Sequence, residues 1–237
     1  MDNMFMIECR PARGKELEKF KSFLKKMDLD YDEGIEYSVG ILNDEYEIIG
    51  TGSVDCNVIK CVAIDPAYQG QGLSARIITN LIQYEFEKGR THIFIYTKPK
   101  NLSMFIDMGF HPILITPEIL FMENRTHGFK RFLQKLVNET PPEALSTSGE
   151  VGAIVANCNP FTLGHRYLIE EALKRCDYLH LFVLSDNRSK FSSEMRYEMV
   201  KLGIEDLNRI ILHQTSDYMI SAATFPTYFF KDKMQGE

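Results

Sequence analysis

Apolar positions along this chain recur with two periods, about 3.6 residues and two residues, and the order in which they alternate outlines two folds. Residues 14–27 put Leu17, Phe20 and Leu24 on one helical face. Lys15, Lys19, Lys21, Lys25 and Lys26 fall on the other, which predicts a packing helix with a solvated basic side. Residues 35–42 and 45–54 are rich in β-branched and apolar side chains and are joined by Asn43-Asp44, which predicts a hairpin. A third strand over 58–64 stops at Asp65-Pro66, because proline cannot extend a ladder. A helix from 73 to about 88 carries Leu73, Ile77, Ile78, Leu81, Ile82 and Phe86 as its stripe. A strand over 92–97 and a helix over 128–137 follow. Residues 138–149 gather prolines, serines and threonines and read as a linker, so the chain is expected to divide into domains at 1–137 and 150–237.

After the linker, residues 151–156 are a short apolar run that predicts a buried strand. The helix behind it carries Leu168, Ile169, Ala172, Leu173 and Cys176 on one face. Residues 178–184 form a second strand and 210–213 a third. Strands separated by a helix pair in parallel, so this half is expected to be a βαβ sheet. Taken together, the fold class is α/β: a mixed sheet with helices, then an incomplete Rossmann-like parallel domain.

Composition narrows the function classes. The 237 residues carry a formal net charge of −6, which leaves no global basic footprint and argues against nucleic acid as a partner. Five cysteines at irregular spacing, with no C-x-x-C pair, argue against a disulfide framework or zinc site. No apolar run approaches the roughly 20 residues that span a bilayer, and the first residues lack the basic start of a signal peptide. A cytoplasmic protein with no membrane partner is expected.

The stretch Asn157-Cys158-Asn159-Pro160-Phe161-Thr162-Leu163-Gly164-His165 joins the strand to its helix. Thr162 is placed to cap that helix, and His165 falls in the first turn, beside unpaired N–H groups and the positive end of the dipole. A phosphate is favoured there. Ligands of parallel sheets gather at the carboxyl ends of strands, where the loop 185–190 also emerges. Lys190, a mobile point charge, and Arg196, a bidentate fork, suit an anion at that edge. Asp186 could help hold Mg²⁺, although an aspartate after a strand is more often a turn or cap residue. His213, a lone histidine at a strand end, is not expected to join the site.

Thr162-Leu163-Gly164-His165 resembles the first signature of the nucleotidyltransferase superfamily. That resemblance implies ATP gripped by Asn157, Asn159, Pro160, Phe161 and Gly164, with Lys190 and Arg196 on phosphate or substrate. Thr162 and His165 would be the catalytic pair, stabilising charge at the α-phosphate during in-line displacement without a protein nucleophile.

In the first half, residues 62–76 with the turn Gln69-Gly70-Gln71-Gly72-Leu73-Ser74, then Phe105 to Gly109-Phe110, resemble the GCN5-related N-acetyltransferase fold over roughly residues 1–125. The resemblance implies that Gln69, Gly70, Gln71, Gly72 and Ser74 hold a CoA-type pyrophosphate. Phe105 occupies the position where many members carry a tyrosine general acid, and phenylalanine has no proton to give. Tyr84 and Tyr96 are alternatives, with aromatic packing the simpler reading of both. The domain therefore reads as a binder of a CoA-like group more than as an acetyltransferase.

The two halves together, with residues 152–169 and 224–229, resemble the acetate:citrate lyase ligase family. The family implies two steps: acetate attacks ATP to give acetyl adenylate, with pyrophosphate leaving alongside Mg²⁺. The thiol of the CoA-like prosthetic group on the citrate lyase acyl carrier subunit then takes the acetyl group. A pantetheine-phosphate-type adenylyltransferase and a catalytically incompetent nucleotide-binding fragment are the alternatives. Superfamily enzymes also carry a second Ser/Thr-rich segment ending in a basic residue; Ser221 to Thr224 has the hydroxyls without that residue, so a chain truncated relative to the family is expected.

Overall fold

A computed structural model describes residues 4–32, 34–185, 190–221 and 223–224. It divides into two compact units, Met1–His127 and Gly128–Glu237.

The first unit runs β1 (Phe5–Cys9), α1 (Gly14–Lys26), β2 (Tyr37–Leu42), β3 (Ile48–Asp55), β4 (Val58–Ile64), α2 (Leu73–Glu87), β5 (Phe94–Thr97), α3 (Leu102–Asp107), β6 (His111–Ile115) and β7 (Leu120–Glu123). These strands form one sheet in the order β1-β2-β3-β4-β5-β7-β6. Every pairing is antiparallel except that of β4 with β5. That parallel ladder covers only Val58↔Phe94 and Ile59↔Ile95. Beyond Ile59 and Ile95 the two strands part. Helix α2 packs Ile77 and Leu81 onto one sheet face, and α1 lays Phe20 on the other, with the lysine side of α1 exposed. The expected elements are present at close to the expected residues, and the two helices present the apolar stripes that the sequence predicts.

The second unit runs α4 (Gly128–Glu139), α5 (Pro142–Leu145), β8 (Val151–Ala156), α6 (Leu163–Leu173), β9 (Tyr178–Val183), α7 (Ser193–Gly203) and β10 (Ile210–Gln214). Its sheet has the order β10-β9-β8 and is parallel throughout. Ile169, Leu179, Leu181, Val183, Val200 and Ile204 fill the face under α6 and α7. The other face presents His180, Phe182 and His213, and receives α4: Glu139 bonds His213, and the rings of Phe129 and Phe132 lie 5.3 and 5.2 Å from Tyr218.

Three expectations are corrected. The strand over 151–156 is not buried: it is the edge of its sheet, with Val151 50% and Val155 39% exposed. Its apolar run matches a central strand in composition, but only its α6 side has a cover. The stretch 138–149 is not wholly a linker, since Pro142 opens a short helix, a position where its missing N–H costs nothing. Helix α4 belongs to the second unit, held there by its contacts to His213 and Tyr218. Among the described residues no helix is long and apolar enough to cross a membrane.

Candidate functional site

At the carboxyl end of β8 the chain turns through Asn157 to Phe161 and enters α6. Thr162 is the N-cap, with an extended backbone, and His165 is the third helical residue of a capping box. The Thr162 N–H donates to His165 Nδ1 at 3.1 Å, and the Thr162 hydroxyl lies 2.8 Å from the same nitrogen. A backbone N–H can only donate, so Nδ1 carries the lone pair and the ring proton sits on Nε2. The outer edge of the imidazole is therefore a hydrogen-bond donor. It stands at a helix start whose first-turn N–H groups have no intrahelical carbonyl to bond, an arrangement that suits an anion.

The turn is braced from α7. The Arg196 guanidinium donates through Nη1 to the Asn157 backbone oxygen at 2.8 Å and to Asn157 Oδ1, and through Nε to the Phe191 carbonyl at 3.2 Å. Arg196 is fully buried. Asn159 Oδ1 accepts from the Phe191 N–H at 3.3 Å, and the Asn159–Pro160 peptide is cis. Phe161 stacks on His165, with ring centroids 5.8 Å apart. Gly164 is exposed in the first turn of α6, and Lys190 is exposed with Nζ 5.8 Å from the Phe191 ring centroid. Buried Cys158 is no nucleophile at neutral pH, because burial pushes its thiol up to about 11. Asp186 and residues 225–229 lie outside the described residues. Among the described residues no three His, Cys, Asp or Glu side chains converge as metal ligands.

The sequence thus brings Asn157, Asn159, Pro160, Phe161, Thr162, Gly164, His165 and Arg196 to one sheet edge. Arg196 sits behind the turn, holding its backbone, where a bidentate fork at the carboxyl edge of the sheet had suggested a side chain on the ligand. His213 lies apart from it, on the α4 face of the sheet. Its Nδ1 is 2.7 Å from Glu139 Oε2 and its Nε2 is 2.9 Å from His180 Nδ1.

In the first unit, Gln69 to Gly72 form an exposed turn into α2. Gly70 and Gly72 adopt φ of +80° and +75°, values that other residues rarely accept, and a Cβ built on either meets nothing within 4 Å. The turn is open to approach, and Ser74 sits in the first turn of α2 behind it. Phe105 is fully buried and meets Phe110 edge-on at 6.1 Å. Tyr84 stacks on Tyr37 at 4.1 Å and Tyr96 on Phe121 at 4.5 Å. Burial raises both hydroxyls above the ordinary tyrosine value, so they pack and do not offer a ready acid.

Residues 151–236 match the family model of the citrate lyase ligase C-terminal domain, and residues 9–123 match that of the acetyltransferase (GNAT) domain. The citrate (pro-3S)-lyase ligase of Haemophilus influenzae is 44% identical over 222 residues, which are 93% of this chain and 64% of that protein. Those of Klebsiella pneumoniae and Escherichia coli K12 are 39% and 37% identical over 96% and 98% of this chain, again 64% of their own length. Along nearly its whole length the chain is similar to citrate (pro-3S)-lyase ligases. It spans 64% of the length of the curated relatives it matches.

Two residues beside the α6 turn carry no mark in the sequence. Arg166, next to His165, pairs through both terminal nitrogens with Asp206 at 2.8 and 2.7 Å and donates to the Gly203 carbonyl at 3.0 Å. Gly203 closes α7 against Phe161. No local pattern marks either, since both act over about forty residues of sequence.

Proposed function

We propose that this chain binds ATP at the start of α6 and activates acetate as acetyl adenylate, for transfer to the thiol of a CoA-like prosthetic group on the citrate lyase acyl carrier subunit. The observation that carries the reading is the Thr162–His165 pair. Its bond at Nδ1 turns Nε2–H outward, beside the N–H groups of a helix start. A donor aimed at the α-phosphate stabilises the charge that grows as an acetate oxygen attacks phosphorus and pyrophosphate leaves. The reaction asks for position and positive potential, and the buried Cys158 thiol fits the absence of a protein nucleophile. Asn157 and Asn159, fixed by Arg196 and Phe191, line the turn on which the nucleotide would lie. Mg²⁺ would enter with the ATP phosphates, since the ion takes few protein ligands beside a nucleotide.

The first unit would hold the acceptor. The open Gln69 to Gly72 turn and the start of α2 suit a pyrophosphate, and the gap between β4 and β5 beyond Ile59 and Ile95 suits an extended pantetheine arm. Phe105 and the buried Tyr84 favour binding over amine acetylation. A reduced, cytoplasmic setting agrees with a thiol acceptor.

The test is acetate-dependent exchange of pyrophosphate into ATP, with His165→Ala expected to lower it at least 100-fold. Exchange that depends on a pantetheine phosphate in place of acetate would mark an adenylyltransferase, and ATP binding without exchange would mark a nucleotide-binding piece. A Gly70 and Gly72 double replacement should spare exchange while weakening thiol acetylation. If both half-reactions fell together, the division of labour would be wrong.

A further inference from the structure

Residue 203 closes α7 and carries no side chain, although α7 is a helix and the residue has no left-handed backbone to explain a glycine. The explanation is steric. A Cβ built there would stand 2.3 Å from Phe161 Cε1 and 2.7 Å from Cδ1, inside any real contact. A side chain at 203 and the ring of Phe161 cannot share that space. The ring that would have to move is the one stacked on His165, 5.8 Å away.

Nor can the two helices draw apart to make room without breaking bonds. Arg166 reaches from the first turn of α6 to the Gly203 carbonyl at 3.0 Å and to both carboxylate oxygens of Asp206 at 2.8 and 2.7 Å. Its Nε is held by Glu170 Oε1 at 2.8 Å, which fixes the arginine to its own helix. Consecutive residues, His165 and Arg166, are thus both referred to residue 203, one through the Phe161 ring and one through a carbonyl. The spacing of the helices is set by Arg166, and at that spacing the Phe161 ring fits only where a Cβ is missing.

We infer that Gly203 is a positioning residue for His165: it seats Phe161, and the seated ring leaves the imidazole free to take the Thr162 N–H on Nδ1 and turn Nε2–H outward. Gly203 touches no ligand. The inference rests on the reading of His165 as the group that meets ATP, and it extends that reading to the far end of α7.

The test uses the full chain with labelled histidine, carrying G203A, F161A or both changes, and reads the His165 ring nitrogens by NMR together with ATP titration. The unsubstituted chain and F161A should show a protonated Nε2 and a bare Nδ1. G203A should lose that signature and bind ATP about tenfold more weakly, the factor that goes with one lost bond to a charged group. G203A/F161A should recover the signature, because the obstructing ring is gone. A G203A chain that fails to fold beside a folded double variant supports the same route. The inference is overturned if G203A leaves the His165 signature unchanged, if the double variant keeps the defect of G203A, or if neither variant folds. Should the unsubstituted chain not bind ATP at all, the proposed function fails, while the ring-nitrogen signature still decides the part played by Gly203.

Discussion

The Arg196 guanidinium stands 2.8 Å from the Asn157 carbonyl oxygen, with no part of the arginine exposed to solvent. A buried cation in that position makes the turn before Thr162 a structure in its own right, held by the protein's own bonds. Arg196→Lys keeps the charge but cannot serve Asn157 and the Phe191 carbonyl together. It should lower the stability of the second unit by about 2 to 4 kcal/mol. Urea unfolding without nucleotide measures this. A loss of ATP affinity at unchanged stability would return Arg196 to the ligand.

Phe105→Tyr restores in name the acid that acetyltransferases use. The ring is fully buried against Phe110, so a hydroxyl there would lack water and should cost about 1 to 3 kcal/mol. No acetyl transfer from acetyl-CoA to amines should appear. A gain of such turnover, with stability intact, would overturn the view of this unit as a binder.

Glu85 is wholly buried, and burial pushes its carboxyl up to about 7 against the opposing pull of Arg90, 3.1 Å away. The unfolded chain gives up this proton near the ordinary value of 4.5 while the folded chain keeps it. Stability from this group is therefore full below 4.5 and is lost as pH rises through about 7. Glu85→Gln should flatten that decline. Denaturation midpoints of the first unit across the same pH range would show it, and an unchanged slope would assign the decline elsewhere.

His180 shifts the other way. Burial, and then the neighbouring His213, hold its imidazole below the ordinary value of 6.5. The unfolded chain takes up a proton there before the folded chain does, so stability is lost as pH falls below 6.5. Replacing His180 with Gln should make the acid-side fall of the second unit's melting temperature shallower. Equal slopes in the two proteins would count against a part for this imidazole.

Much of this was readable from residues alone, and the failures share a cause. Strand β4 occupies the residues that the apolar run and the following proline defined, and Thr162 caps α6 as its chemistry requires. Such features are decided within a few residues. Helix α4 joins the second unit through Phe132 with Tyr218 and Glu139 with His213, partners more than seventy positions away. The edge position of β8 depends on which strands lie beside it, and an apolar run cannot report that. The burial of Arg196 and the Phe161 ring that fills the Cβ position of Gly203 depend on what faces them across the fold.

Where β4 and β5 part beyond Ile59 and Ile95, the walls of the opening are peptide groups. Their donors and acceptors repeat with the same spacing whatever side chains the strands carry. An extended, amide-bearing molecule laid along such a wall is read by the main chain. Substitutions at β4 or β5 that keep the two strands apart would leave recognition of that kind unchanged, whatever side chains they bring.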